Sequence, residues 1–309
     1  MVKHMIETLL SSLLTMGIMI AIGYLLKKLK ITSDKALKEI SDVLVYVLLP
    51  CSVLSSSARE FNPETGKGII ICMAISFLFY TFSLLFSYGA MKASKIPSEK
   101  FGASVTSIVF ANTGFLGYPL NQSLFGAEGL LCAVSFGFFY NPFMFTIGIK
   151  LFSNENEKFS IKSIISPALI SCIVANVFYF MQIKMPAPIQ SACSSLGSAM
   201  TPISMIVIGA GLAGVNIKSI FSDRFSYVVC FLRLVFMPLV VYFATMPFAS
   251  SIPTVARQVC VLMSGLPVGS LNVILAKKYG GNAEYANATM LISMILCLVT
   301  LPLILCLPY

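Results

Sequence analysis

Long apolar stretches, separated by short polar connections, run along the whole chain. A helix needs about 20 mostly apolar residues to cross the hydrocarbon core of a bilayer. Ten stretches approach that length, and we number them spans 1 to 10: residues 5–26, 40–57, 68–91, 101–121, 129–150, 163–182, 191–214, 225–247, 254–276 and 286–307. The pattern therefore predicts an all-α integral membrane protein with ten transmembrane helices.

The composition excludes an ordinary soluble domain. Of 309 residues, 57% are hydrophobic and 11% are charged, whereas charged residues make up about 25% of a typical soluble domain. The net charge of +9 does not indicate nucleic-acid binding, because the cations form short clusters between apolar stretches rather than a basic stripe. The nine cysteines lie in apolar stretches without a C-x-x-C pair, so we expect no metal site. We therefore expect the chain to be embedded in the lipid bilayer.

The distribution of Lys and Arg predicts the orientation. Loops after the odd-numbered spans contain fifteen of these residues, and the other side contains five: Lys3, Arg59, Lys67, Lys184 and Arg257. Cytoplasmic loops of membrane proteins are enriched in Lys and Arg. We therefore expect a multi-pass protein of the cell membrane with both termini on the extracytoplasmic side.

The two halves of the chain resemble each other weakly. Pro50 in span 2 corresponds to Pro202 in span 7, and Pro119 in span 4 corresponds to Pro267 in span 9, each pair about half the chain apart. Residues 1–152 and 153–309 then hold five spans each, and because five is odd, the second half is inverted. Inverted repeats are typical of secondary transporters. Pro50 and Pro202 are interpreted either as hinges or as plain kinks.

Spans 4 and 9 are interrupted by Asn, Gly and Pro. Such breaks leave backbone groups without helical partners, which are tolerated in a membrane only inside protein or beside a wet cavity. The ends of the half-helices attract an anion, and neighbouring amides and hydroxyls add hydrogen bonds. We therefore predict one substrate site for a carboxylate, formed by Asn112, Thr113, Gly114, Gly117, Pro119 and Asn121 together with Leu266, Pro267, Gly269, Ser270 and Asn272.

Three further residues are candidates for supporting the substrate or an ion. Arg233 is the clearest ionisable group inside a span, where such groups are usually functional. It could balance substrate charge, pair with a carbonyl or snorkel to the cytoplasmic side, and we favour snorkelling or structural pairing. Neither break contains Asp or Glu, so H+ exchange through buried carboxylates is not expected. Na+ coupling, with oxygen ligands such as Asn141 and Ser293, and potential-driven uniport both stay open.

Three motifs resemble the auxin efflux carrier family, which includes the plant PIN proteins and many bacterial relatives. They are Asn112-Thr-x-x-x-Gly117-x-Pro119-Leu120, Leu266-Pro267 through Asn272 to Tyr279-Gly280-Gly281, and Thr201-Pro202-Ile-Ser in span 7. The resemblance covers nearly the whole chain. It is closer to the bacterial members, because the long central loop of many plant PIN proteins is absent. Ala111 stands where some plant members have a proline, which is a difference from the auxin carriers themselves.

The resemblance implies a fold like that of the bile-acid/sodium symporters. Two inverted five-helix repeats would cross at spans 4 and 9, where an organic anion binds without a cofactor. Spans 1, 2, 6 and 7 would form a scaffold, often dimeric, and spans 3–5 and 8–10 a transport domain that works as an elevator. Bacterial relatives are linked to malate or malonate, and plant members to auxin.

Other classes of function are less consistent with the sequence. His4 is the one histidine, and no H-E-x-x-H, G-x-S-x-G or paired-Asp motif is present, so we do not expect an enzyme. A channel needs a continuous polar lining, whereas the polar residues here cluster at two breaks. A Na+-coupled symporter of a different organic solute and a non-transporting membrane receptor remain the alternatives.

Overall fold

The computed structural model describes residues 2–152, 166–213 and 223–309. Within these ranges the regular structure is helical, with one isolated β-bridge and no strand. The α-helices are α1 (Val2–Lys28), α2 (Asp34–Val43), α3 (Leu49–Ser57), α4 (Pro63–Ala93), α5 (Ser98–Val109), α6 (Tyr118–Phe136), α7 (Tyr140–Phe143), α8 (Ile149–Phe152), α9 (Pro167–Met181), α10 (Ala187–Ser198), α11 (Met200–Ala213), α12 (Arg224–Phe231), α13 (Met237–Thr245), α14 (Thr254–Ser264), α15 (Ser270–Lys278) and α16 (Ala283–Leu305).

Prolines explain most of the local irregularity. Wider π-helical turns occur at Leu44–Leu48, Thr113–Gly117, Met144–Gly148 and Leu232–Phe236. Three of them end two residues before a proline, namely Pro50, Pro119 and Pro238. A proline ring clashes with the carbonyl four residues earlier, and in each case that carbonyl lies inside the wider turn. The π-turn therefore relieves the clash without ending the helix.

Several helical stretches are long and apolar enough to cross a membrane. By length and composition these are Asp34–Ser57, Pro63–Ala93, Thr113–Phe152, Ala187–Ala213, Arg224–Phe248 and Ala283–Leu305, and α9 is a shorter apolar helix. The chain is thus a multi-pass membrane protein whose regular structure, in the described residues, is helical. Each of the ten predicted spans overlaps helix where the chain is described, while the number of crossings stays a prediction.

Two details of the predicted boundaries can be compared with the structure. The connection predicted between spans 4 and 5 lies within the long stretch Thr113–Phe152. Gly126 interrupts it with φ 64° and ψ −151°, a conformation that favours glycine. The boundary between the two halves at 152/153, the start of span 6, the end of span 7 and the loop residues Lys158, Lys162 and Lys218 lie outside the described residues.

The chain divides into two compact units. Unit 1 comprises the described residues of Met1–Ile69, Gly114–Ser135 and Ser166–Val215, and unit 2 those of Ile70–Thr113, Phe136–Ile165 and Asn216–Tyr309. In unit 1, α1 packs against α11 through glycines, and α3 packs against α9 and α10. In unit 2, α5 and the helices from α12 to α16 surround a core that includes Ile108, Phe110, Leu262 and Leu266, all fully buried.

Candidate functional site

The start of the first predicted break, up to Thr113, meets the second break inside unit 2. Helix α5 ends at Val109 and α14 ends at Ser264. Beyond these ends, Ala111 and Val268 face each other in an antiparallel β-bridge. The Asn112 N–H donates to the Pro267 carbonyl (2.8 Å), and the Gly269 N–H donates to the Phe110 carbonyl (3.1 Å). The pairing satisfies backbone groups that would be costly to leave unbonded in a membrane interior.

Gly269 allows this close approach. A Cβ atom placed on residue 269 would lie 2.6 Å from the carbonyl oxygen of Ala111, far inside normal contact distance. The backbone of Gly269 has φ −76°, which any residue can adopt. Glycine is therefore required here by the proximity of the other chain segment and not by its own backbone conformation.

Asn272 connects the two breaks through its side chain. It is 0% exposed, and its Nδ2 donates to the carbonyls of Phe110 (2.7 Å) and Gly269 (3.1 Å). The two donated bonds fix the orientation of the amide. The Oδ1 atom is buried without a hydrogen-bond partner among the described residues. It therefore presents an acceptor beside the paired segments around Ala111 and Val268, which we call the crossing.

Arg233 donates hydrogen bonds to the carboxyl ends of both interrupted helices, α5 and α14. The side chain is 0% exposed. Its Nε donates to the Leu266 carbonyl (2.8 Å), Nη1 to those of Ile108 (3.0 Å) and Val109 (3.2 Å), and Nη2 to that of Met263 (3.3 Å). Carbonyls at helix ends lack intrahelical donors. Arg233 supplies them, so the snorkelling considered from the sequence is wrong and carbonyl pairing is observed.

Ser293, in α16, contacts the second break. Its Oγ accepts a hydrogen bond from the Val268 N–H (3.0 Å) and donates one to the Met290 carbonyl (2.6 Å). Ser293 therefore satisfies a backbone donor that the β-bridge leaves unpaired. This is a structural contact, and the role of Ser293 toward an ion or substrate stays a prediction.

The other predicted residues of unit 2 lie close to these elements in sequence. Asn112 and Thr113 are buried, with exposed fractions of 4% and 7%, and Thr113 begins the π-turn. Ser270 is the first residue of α15 and is half-buried. Asn141 is half-buried in α7.

The remaining predicted residues belong to unit 1. Gly114, Gly117, Pro119 and Asn121 fall in the segment Gly114–Ser135, where Asn121 Nδ2 donates to the Gly117 carbonyl (2.8 Å). The two hinge candidates stand in the first turns of helices: Pro50 in α3, directly after a π-turn, and Pro202 in α11, just after α10 ends. Their function as hinges stays a prediction.

Sequence reasoning missed two aromatic residues at the crossing. The Phe110 carbonyl accepts hydrogen bonds from both Gly269 and Asn272, and its ring lies 5.5 Å from that of Tyr140. The Tyr140 hydroxyl lies 3.3 Å from the point where a Cβ of residue 269 would stand. Tyr140 precedes Asn141, so a polar aromatic beside an Asn-Pro pair was the available signal.

The described residues contain no group of three or more His, Cys, Asp or Glu side chains that could hold a metal ion. The thiols of Cys72 and Cys260, both fully buried, lie 3.5 Å apart. The polar groups at the paired breaks are amides, hydroxyls, backbone groups and the guanidinium of Arg233.

Apolar helices interrupted at two points that pair with each other are typical of secondary transporters. The chain belongs to the membrane transport protein family, whose model matches residues 8–305. That family includes auxin efflux carrier-like proteins. The resemblance is therefore confirmed at the level of the membrane transport protein family, and the assignment to the auxin efflux carriers stays a prediction. The expectation that the chain is a transporter and not an enzyme is confirmed as well.

Three relatives support the same class. The chain is 25% identical over 305 residues to an uncharacterized transporter of Methanothermobacter thermautotrophicus, covering 96% of each chain. It is 24% identical over 271 residues to an uncharacterized transporter of Methanocaldococcus jannaschii, covering 85% of this chain and 86% of the relative. A Rhizobium meliloti protein named "Putative malonate transporter" is 22% identical over 292 residues, covering 91% and 90%.

Proposed function

We propose that this protein is a carrier for small organic anions, namely carboxylates such as malate or malonate, or auxin-like acids. The observation on which the proposal depends is the backbone pairing of the two breaks around Ala111 and Val268. Such a pairing fixes the position in the fold at which the two helices are interrupted. In transporters, substrates bind where discontinuous helices present their ends.

The helix ends at the crossing favour an anion. Thr113 begins a helical turn and Ser270 begins α15, each directly after a paired segment. The first residues of a helix present unpaired N–H groups and a positive partial charge, to which a carboxylate binds. No Asp or Glu occurs in residues 108–121 or 263–272, so no acidic side chain there would repel the substrate.

The division into two units supports the proposed scaffold and transport domain. Unit 1 contains the helices of spans 1, 2, 6 and 7, and unit 2 contains those of spans 8, 9 and 10 and most of span 3. Residues 114–135, which include the end of span 4 and the start of span 5, belong to unit 1 and do not follow the proposed division into spans 1, 2, 6 and 7 and spans 3–5 and 8–10. Inverted repeats, elevator movement and a homodimer through the scaffold helices are parts of the same proposal.

The substrate and the driving force are proposed at the level of chemical class. The name of the Rhizobium meliloti relative mentions malonate, and this makes dicarboxylates the first compounds to test. Coupling to Na+ or H+ and uniport driven by the membrane potential are alternative modes of the same carrier. A Na+-coupled symporter of another solute, or a receptor that binds without transport, would differ in the assay below.

The experiment is uptake of radiolabelled malonate and malate into proteoliposomes, with and without Na+ and pH gradients. We expect Asn112→Ala and Asn272→Ala to reduce uptake at least about tenfold, since each removes a polar group at the crossing. Asn176→Ala is the matched control, because Asn176 lies in unit 1 and its Nδ2 contacts Ser135 (3.3 Å). Unchanged uptake in both crossing variants would contradict the proposed site, and binding without uptake would favour a receptor.

A further inference from the structure

The charge of Arg233 is balanced without a carboxylate. Among the described residues, ion pairs join Lys27 to Asp34, Lys35 to Glu39 and Lys100 to Asp223, and none includes Arg233. A fully buried cation is costly unless hydrogen bonds and opposite charge compensate for its lost hydration. For Arg233, the hydrogen bonds and most of the opposite charge come from the carbonyls of two helix ends, and the Phe79 ring lies 5.8 Å from its Cζ.

The partial charges of these helix ends match the guanidinium. The carboxyl end of a helix carries roughly −0.5 of an elementary charge. Both α5 and α14 present this end to Arg233, so together they offset roughly the full positive charge of one guanidinium. The planar fork of arginine donates in several fixed directions, which allows Nε, Nη1 and Nη2 to contact different carbonyls. A lysine has one ammonium centre and could not reach both helix ends equally.

We propose that Arg233 is a tethered cation that determines the sign of the charge the carrier accepts. By neutralising the carboxyl ends of α5 and α14, it leaves the positive amino ends at Thr113 and Ser270 as the uncompensated field of the crossing. Without Arg233, the exposed carbonyls would add roughly one negative charge there. The crossing would then repel a carboxylate and attract a free cation.

The selection of anions rests on the proposed function, whereas the neutralising role does not, so two experiments separate them. The first uses purified protein without substrate and measures thermal unfolding of wild type, Arg233→Ala and Arg233→Gln. We expect both variants to unfold at lower temperature, and methylguanidinium at non-denaturing concentration to recover part of the loss in Arg233→Ala. Wild type should not respond. N-methylurea, which is neutral and of similar shape, should not restore stability.

The second experiment measures carboxylate uptake in proteoliposomes. We expect Arg233→Gln, which keeps a side-chain donor and most of the volume, to lose at least about tenfold in uptake, the scale of one lost charge-assisted interaction. Added methylguanidinium should restore uptake in Arg233→Ala and leave wild type unchanged. Arg257→Ala serves as a control for losing a buried arginine, because Arg257 contacts the rings of Tyr242 and Tyr309 rather than helix carbonyls.

Each result has a definite meaning. Wild-type uptake and stability in Arg233→Gln would overturn the proposal, and so would equal rescue by N-methylurea and methylguanidinium. If Arg233→Ala does not fold, the Gln variant decides both experiments. If wild type transports no carboxylate but Arg233→Ala still recovers stability only with methylguanidinium, the proposed function fails and the neutralising role of Arg233 stands.

Discussion

At the scale of single residues, the crossing depends on the missing side chain of Gly269 as much as on the polar side chains of Asn272 and Ser293. Gly269 has no Cβ, and this allows its backbone to lie against Ala111. Asn272 and Ser293 then bond to the backbone groups around that contact. The site is thus a backbone structure that a few small side chains hold in place.

Replacing Gly269 by alanine should separate the paired segments. The added methyl would stand 2.6 Å from the Ala111 carbonyl oxygen, and overpacking of this kind typically costs about 1–3 kcal/mol. We expect a lower unfolding temperature and reduced uptake. Gly89→Ala is the control in the same unit, because a Cβ on Gly89 meets nothing within 4 Å. Equal stability of the two variants would contradict the role of Gly269.

At the scale of helices, unit 1 contains a close pair formed by α1 and α11. Atoms added as Cβ on Gly23 and Gly209 would collide with the carbonyls of Ile206 and Ile20, respectively. Lipid tails are as apolar as leucine, so membrane helices associate through close packing of small residues rather than through the hydrophobic effect. The two glycines allow the backbones of α1 and α11 to touch.

This packing predicts different effects for two neighbouring glycines of α11. Gly209→Ala should weaken the α1–α11 pair by about 1–3 kcal/mol, because the methyl meets backbone that cannot move aside. Gly211→Ala should be neutral, since a Cβ there meets nothing within 4 Å. Thermal unfolding in one detergent compares the two variants directly. Loss of stability in Gly211→Ala alone would show that the packing is assigned to the wrong residue.

At the scale of the whole molecule, the orientation depends on where the cations lie. One of the five cations counted on the extracytoplasmic side, Arg257, lies in α14 and is only 4% exposed. Without it, the loops after odd-numbered spans still hold fifteen Lys and Arg residues and the other side holds four. The bias is therefore larger when Arg257 is left out, and the predicted orientation is unchanged.

Reporter fusions test this orientation. Alkaline phosphatase fused after Tyr309 should be active, and green fluorescent protein fused there should be dark, because the carboxyl terminus is predicted to be extracytoplasmic. Fusions within residues 279–282, after α15, should give the opposite pair of results. A fluorescent fusion after Tyr309 would show the opposite orientation. The same reporter result at both positions would contradict the prediction that α16 spans the membrane.

The sequence by itself determined the helical, membrane-spanning character of the chain and the positions of its two breaks. These properties depend on neighbouring residues: long apolar stretches favour helices in lipid, and Asn, Gly and Pro interrupt them locally. The tertiary structure alone decided which groups meet at the breaks. The Ala111–Val268 pairing, the contact of Asn272 with Phe110 and the four carbonyls bound by Arg233 join residues far apart in the chain. Such contacts follow from how helices pack, because unpaired carbonyls at helix ends accept whatever donor the fold brings to them.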